Sequence, residues 1–307
     1  MPILSTSTSA FYERARSDMK TLRSQAETMQ SQLSSGERLT RSSDNPVAAS
    51  RLRALSRLET LSQIDTANAS RASADLSLAD AALNDMADTL IRAQELATSA
   101  ASATLTDTQR KAIGEELTQL NATLLSLANA RDSSGHALFG GETGGDAYSL
   151  DASGNAVYVG TSGTGTLPLG EGQNVSRSIT GPQALSFTDA GGTQTDIMAV
   201  IKTLADALSS ATADPAGAAK DALTGLQSGL DTLTTAQTVV GTRLAWIDLT
   251  DQRRIDLQEL RGSEEAEIGD TDLALTIATL QETMTVLEAS QASFTRLAGL
   301  SLFSQLT

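Results

Sequence analysis

The chain has 307 residues, 37 acidic against 22 basic for a formal net charge of −15, no cysteine, and aromatics at 3%. Disulfides, thiolate zinc sites and cysteine nucleophiles are therefore excluded, and a chain this acidic without a compensating basic patch repels nucleic acid and anionic membrane. So few aromatics suit the core of a compact enzyme poorly, whereas abundant Leu, Ala, Ser and Thr suit long helices packed side by side, so an elongated, mainly α protein is expected.

The opening residues, MPILSTSTSAFYERARSDMK, lack the apolar core of a secretory signal peptide. No run approaches the roughly 18 apolar residues of a membrane span. In the first segment Ala15, Met19, Leu22, Ala26, Met29 and Leu33 are spaced 4, 3, 4, 3, 4, a heptad seam. The seam runs into a polar joint, Ser34 to Pro46, with Gly36 inside it. Pro46 fits the first position of a new helix, capped by Asp44 or Asn45. Gly36, Asp44, Asn45 and Pro46 are thus read as a hinge.

From Val47 to about Arg131 the pattern predicts a long helix, a turn and another helix. Leu76, Ala79, Leu83, Met86 and Leu90 keep the 3-4 alternation, as do Ile113, Leu117, Leu120, Leu124 and Leu127. The break falls at TLTDTQR, where Thr106 or Asp107 caps the second helix. The chain then turns glycine-rich and alternating. The stretch AYSL-DASGN-AVYV reads as a hairpin with Gly154-Asn155 at its positive-φ turn positions. It belongs to a small β-rich insertion of roughly 50 residues, since a lone hairpin needs further strands or a helix.

Helix returns at Ile197 to Leu208. After ATADPAG, a heptad runs through Leu223, Leu226, Leu230, Leu233, Gln237, Val240, Leu244 and Ile247 to about Arg261. The last seam, Leu273, Ile277, Leu280, Met284, Leu287, Gln291, Phe294 and Ala298, is the most regular.

This order reads as a chain that goes out and comes back. The expected division is 1–45 with 262–307 as a terminal coiled-coil pair, 46–139 with 192–261 as a helical bundle, and 140–191 as the β-rich tip. Residues 1–43 hold six basic and four acidic groups, while 264–307 hold one Arg and seven Asp/Glu, a charge difference that favours pairing the two ends. Joining them closes a loop of over 200 residues, which costs roughly 2–3 kcal/mol more than a 15-residue loop. Each end buries a single stripe, so the terminal helices are expected to be marginal in a free monomer and to order on packing with other copies.

The joint LSSGERLTRSSDNPVAASRL, the end DTDLALTIATLQETMTVLEASQASFTRLAGLSLFSQL and the middle stretches ANARDSSGHALFGG, YVG and ITGPQALSF together resemble the flagellin superfamily. The DNPVAA and SLF elements are similar to its hook–filament junction branch. Asp44-Asn45-Pro46 stands where the family usually has Asp-Asp-Pro, and asparagine caps a helix equally well. The resemblance implies a secreted structural subunit of the extracellular bacterial flagellum, exported unfolded through the flagellar type III system with a cytoplasmic chaperone on its C-terminal helix. It implies a ring of about eleven copies, by the family's helical symmetry, between hook-associated protein 1 and flagellin. The terminal helices would form the inner core, with assembly seams at Met19, Leu22, Ala26, Met29, Leu33, Leu273, Ile277, Leu280, Met284, Leu287, Phe294, Leu302 and Phe303. The middle helices would form an outer tube, with the β insertion facing outward.

An enzyme reading needs a site. His136, the one histidine, lies in a glycine-rich turn and has no second histidine for metal binding. Glu115-Glu116 and Glu264-Glu265-Glu267 read as solvated helix surface, and GGETGG lacks the lysine and preceding strand of a phosphate loop. No catalytic, metal or cofactor site is expected. Two rivals stand beside the junction reading. Filament flagellin tends to lack DNPVAA and SLF, and a cytoplasmic coiled-coil signalling module would lack the mid-chain β insertion.

Overall fold

A computed structural model describes residues 4–39, 41–189, 191–210 and 214–303, with side chains described from 10 to 297 within those spans. The expected seam residues Leu302 and Phe303 lie outside the described side chains. In chain order the elements are α1 (Leu4–Ser35), α2 (Pro46–Ala100), α3 (Asp107–Ala128), β1 (Tyr148–Leu150), β2 (Ala156–Tyr158), β3 (Thr166–Gly170), β4 (Gln173–Ser176), α4 (Gly181–Leu185), β5 (Ser186–Thr188), β6 (Gln194–Asp196), α5 (Ile197–Ser209), α6 (Pro215–Gly269) and α7 (Leu273–Phe303). The protein is mainly helical, with three small antiparallel strand pairs in mid-chain. It divides into two compact units, Met1–Thr60 with Asp256–Thr307, and Leu61–Ile255.

The 61–255 unit holds one continuous apolar core. Along α2 its buried face is Ala69, Ala72, Leu76, Ala79, Leu83, Met86, Leu90, Ala93, Ala97 and Ala100, an unbroken 3-4 alternation. Along α6 the buried set is Ala219, Ala222, Leu226, Gly229, Leu233, Ala236, Val240 and Ile247. The expected Leu226, Leu233, Val240 and Ile247 are buried, while Leu223, Leu230 and Leu244 pack half-buried at the rim and the alternate inner places go to Ala and Gly. Small residues there let helices approach. A Cβ on Gly229 would lie 2.7 Å from Ile197 Cγ1, and one on Gly114 in α3 would lie 3.0 Å from the Ala205 carbonyl of α5. Thr106 caps α3 through a reciprocal box: Gln109 N–H donates to Thr106 Oγ1 at 3.3 Å, and Thr106 N–H donates to Gln109 Oε1 at 2.9 Å.

The hairpins are built onto this helical core. The expected hairpin forms, and Tyr148 faces Tyr158 across β1 and β2. At the turn, Gly154 takes a φ of +76° but Asn155 does not share the left-handed region. Asn155 instead donates both its N–H and its Nδ2 to the Asp151 carboxylate, at 2.8 and 2.9 Å. An Asx turn therefore takes the place of a second left-handed residue. Asn129, at the end of α3, fixes the strand by accepting from Ala147 and Tyr148 N–H groups and donating to the Tyr148 carbonyl, each at 2.9 Å.

The β3–β4 hairpin is held from both long helices. Asn68 Nδ2 donates to the Pro168 carbonyl at 3.1 Å, and the buried Arg254 donates to the Leu169 carbonyl at 3.0 Å. Arg254 also pairs with Asp251 on its own helix. Phe139, Tyr148, Leu169, Val175, Leu185 and Phe187 belong to the same core cluster as the helices.

Candidate assembly site

The polar joint is folded against the far end of α6. Gly36, with φ +77°, ends α1 by donating its N–H to the Gln32 carbonyl at 2.8 Å. Arg38 then donates its N–H to Gly269 O at 2.6 Å and its guanidinium to Ile268 O at 2.5 Å, while Thr271 N–H donates to Gly36 O at 2.9 Å. Two roles that sequence left open are separated. Asn45 caps α2, accepting the Ala48 N–H at 3.1 Å with Pro46 at the first helical position. Asp44 instead closes the turn before it, accepting the Arg41 N–H at 2.9 Å. Arg51 grips Glu264 through two hydrogen bonds of 2.5 and 2.7 Å, and these bonds hold the Glu264 carboxyl below the usual carboxylate range.

Helices α1 and α7 form an antiparallel pair. Thr271 meets Gly36 at one end, and at the other Tyr12 Oη donates to the Leu297 carbonyl at 3.3 Å while its ring meets Phe294 edge-on at 5.4 Å. On α1, Ala26 is buried and Ala15, Met19, Leu22, Met29 and Leu33 are half-buried. On α7 the covered stripe is Thr276, Leu280, Thr283, Leu287, Ser290 and Phe294. The expected Leu280, Leu287 and Phe294 lie in it, while Leu273, Ile277 and Met284 stand 51%, 42% and 43% exposed beside it.

That offset has a physical cause. Both sets fit a heptad through Leu280, Leu287 and Phe294, but threonine and serine inward allow the closer helix approach. The buried Thr283 satisfies its hydroxyl on the Thr279 carbonyl one turn back, at 2.8 Å, so this inward threonine leaves no unpaired donor. The consequence is a helix with apolar surface on both sides of its covered stripe. Leu273, Ile277 and Met284 form one flank, and Leu275, Val286 and Leu297, spaced by three whole turns, form the other.

The groups weighed for chemistry are dispersed. Glu116 pairs with Arg92 at 2.7 Å, Glu115 is exposed, and Glu264 is engaged by Arg51. His136 lies exposed in a turn, its Nδ1 3.5 Å from Asp132 Oδ2. Burial works to raise the Asp132 carboxyl, but N–H donors from His136 and Ser134, with nearby cations, bring it below its ordinary range. Asp75, buried on α2 and facing Asp132, is pushed up, first by burial and then by that charge. Sequence reasoning missed Asn129, Arg254 and Asp75. Nothing local marks them, because their partners come from distant segments.

Residues 6–143 match the bacterial flagellin N-terminal helical region. The chain is 29% identical over 298 residues to flagellar hook-associated protein 3 of Escherichia coli K12, covering 91% of this chain and 93% of that one. The fold matches a flagellar hook-associated protein from Vibrio parahaemolyticus with a TM-score of 0.68, at 22% identity over 74% of this chain and all of the other. It also matches the flagellar junction protein from Legionella pneumophila with a TM-score of 0.60, at 15% identity over 71% and 99%. An antiparallel terminal helix pair with uncovered apolar flanks, a flagellin-type N-terminal region and a relationship along nearly the whole length agree: the chain is similar to flagellar hook-associated protein 3 and is a helical structural protein of the bacterial flagellum.

Proposed function

We infer that this chain joins the flagellar hook to the filament as a structural subunit working in many copies. The observation that carries the reading is the apolar surface of α7. Six large side chains, 42% to 65% exposed, flank a helix whose partner α1 covers the stripe between them. Fully burying each such side chain contributes about 1.5–3 kcal/mol, a gain available when other copies pack against the pair. Flagellin on one side, hook-associated protein 1 on the other, and a ring of about eleven subunits belong to this reading, which the similarity to hook-associated protein 3 supports. So do export through the type III channel and a chaperone covering α7.

In this reading α1 and α7 form the inner core, α2, α3, α5 and α6 an outer tube, and the hairpins the outward surface. The joint from Gly36 to Pro46 links the layers as a structural coupling, and the protein carries no catalytic role. Immunogold labelling of isolated filaments tests it. Label confined to the hook boundary is expected, and label along the whole filament would reassign the chain as filament flagellin. Leu287→Asp is expected to abolish filament growth by placing an unpaired charge in the α1–α7 stripe; growth at the normal rate would refute the placement of that seam.

A further inference from the structure

Two charged rows on the unit formed by residues 1–60 and 256–307 are left largely without ion pairs among the described residues. On α6 and the residue just after it, Asp256, Glu259, Ser263, Glu267 and Asp270 recur at steps of 3, 4, 4 and 3, and all are exposed. They form one outward row carrying four carboxylates. On α1, Arg16, Lys20 and Arg23 recur at steps of 4 and 3 and are likewise exposed. Among the described residues, none of the four carboxylates is in an ion pair, and neither is Arg16 or Lys20; Arg23 shares its charge with Glu27 at 3.2 Å. Lys20 lies sixteen residues, about 24 Å, along α1 from Gly36, the point where α1 meets Thr271. A gap of that size is beyond an ion pair and well beyond the Debye length of about 8 Å at physiological salt.

We propose that the acidic row Asp256–Glu259–Glu267–Asp270 of one copy docks the basic row Arg16–Lys20–Arg23 of a second copy. The contact rests on the reading of the chain as a multi-copy flagellar subunit and gives that assembly a register. Because the rows are different surfaces, the contact is head to tail and leaves a free acidic row and a free basic row at the two ends, so it propagates. It also runs the second copy's α1 beside the first copy's α6, where the exposed Leu260 offers apolar area to its side-chain stems. Opposite charges set the register, and apolar contact beside them adds to the affinity.

The absence of cysteine from the chain makes the test direct. Full-length Ser24→Cys and Ser263→Cys chains, each beside its row with every charge intact, are mixed at high concentration and oxidised. The mixed disulfide dimer is expected in clear excess over either same-site dimer, and the excess is expected to vanish in 0.5 M salt, where the Debye length is only about 4 Å. Same-site dimers predominating, no dimer at all, or a mixed yield indifferent to salt would each overturn the proposal. Cross-linking of the Ser263→Cys chain to another flagellar component, with none to the Ser24→Cys chain, would overturn the second copy as occupant.

Arg16→Glu with Lys20→Glu is expected to weaken self-association about tenfold. Adding Glu259→Lys and Glu267→Lys to the same chain is expected to restore it, which a folding defect would not allow. Junction labelling reports separately. Label at the hook boundary without the cross-link rejects this contact and keeps the functional reading, and the cross-link with label along the filament does the reverse.

Discussion

The 61–255 unit and the terminal helix pair use the same sequence device to different ends. Both are built on 3-4 alternation, and both give alternate inner positions to small residues, Ala222, Gly229 and Ala236 in α6 and Thr276, Thr283 and Ser290 in α7. In the first unit the displaced large residues Leu223, Leu230 and Leu244 still pack half-buried, because α5 and the hairpins lie on the same core. In the helix pair their counterparts Leu273, Ile277 and Met284 stand in the open. A heptad states how many apolar faces a helix has, and the number of neighbours decides whether the rim is core or interface.

The sharpest break between the regions is expected in hydrogen exchange on a dilute monomer. Amides of Leu76–Leu90 and Leu226–Val240 should be protected by orders of magnitude more than those of residues 10–35 and 273–297, which open locally at little cost. Equal protection would show that the pair is stable without further copies. Next comes packing: Leu83→Ala, at a fully buried position, is expected to cost about 2–5 kcal/mol in chemical denaturation. Leu287→Ala should leave that main transition in place and act on the helix pair alone.

Glycine gives a smaller contrast of opposite sign. Gly229→Ala should destabilise, because about 1–3 kcal/mol of overpacking against Ile197 exceeds the roughly 1 kcal/mol gained in helix propensity. Gly262→Ala, in α6 near its end with open space around it, should stabilise by up to about 1 kcal/mol. A stabilising Gly229→Ala would mean that α5 and α6 can move apart freely.

The smallest effect is in pH dependence, and the two units respond in opposite directions. Asp75 has its folded pKa raised, so its contribution is present at low pH and is lost as pH rises through that value. Asp75→Asn should therefore gain most over the parent chain at pH 7 and least near pH 4. Glu264 has its pKa lowered by Arg51, so its contribution is present above about 4.5 and is lost as pH falls through the folded value. The deficit of Glu264→Gln should accordingly fade in acid. Thermal melts of both variants across pH 3–7 check the two signs.

The helices were legible because their cause is local. Leu76 to Leu90 and Leu226 to Ile247 announce their buried faces by period, and Thr106, Asn45 and Pro46 announce helix starts by capping chemistry. The first hairpin was legible in place but not in turn type, since an Asp151 carboxylate serving two Asn155 donors does the work assigned to a second left-handed residue. On α7 the expected seam positions Leu280, Leu287 and Phe294 fall in the stripe that α1 covers, while Ile277 and Met284 fall beside it. Hydrophobicity favours Ile277 and Met284, whereas helix–helix approach favours Thr276 and Thr283.

Sequence by itself determined the long helices, their order, the first hairpin and the heptad periods, because propensity, capping and periodicity act within a few residues. Tertiary structure decided which edge of each heptad faces inward, that Arg254 and Asn129 anchor the hairpins, and that the acidic row at the end of α6 takes no ion pair among the described residues. Those outcomes depend on how closely two helices approach and on partners up to about two hundred residues away, which no local pattern encodes.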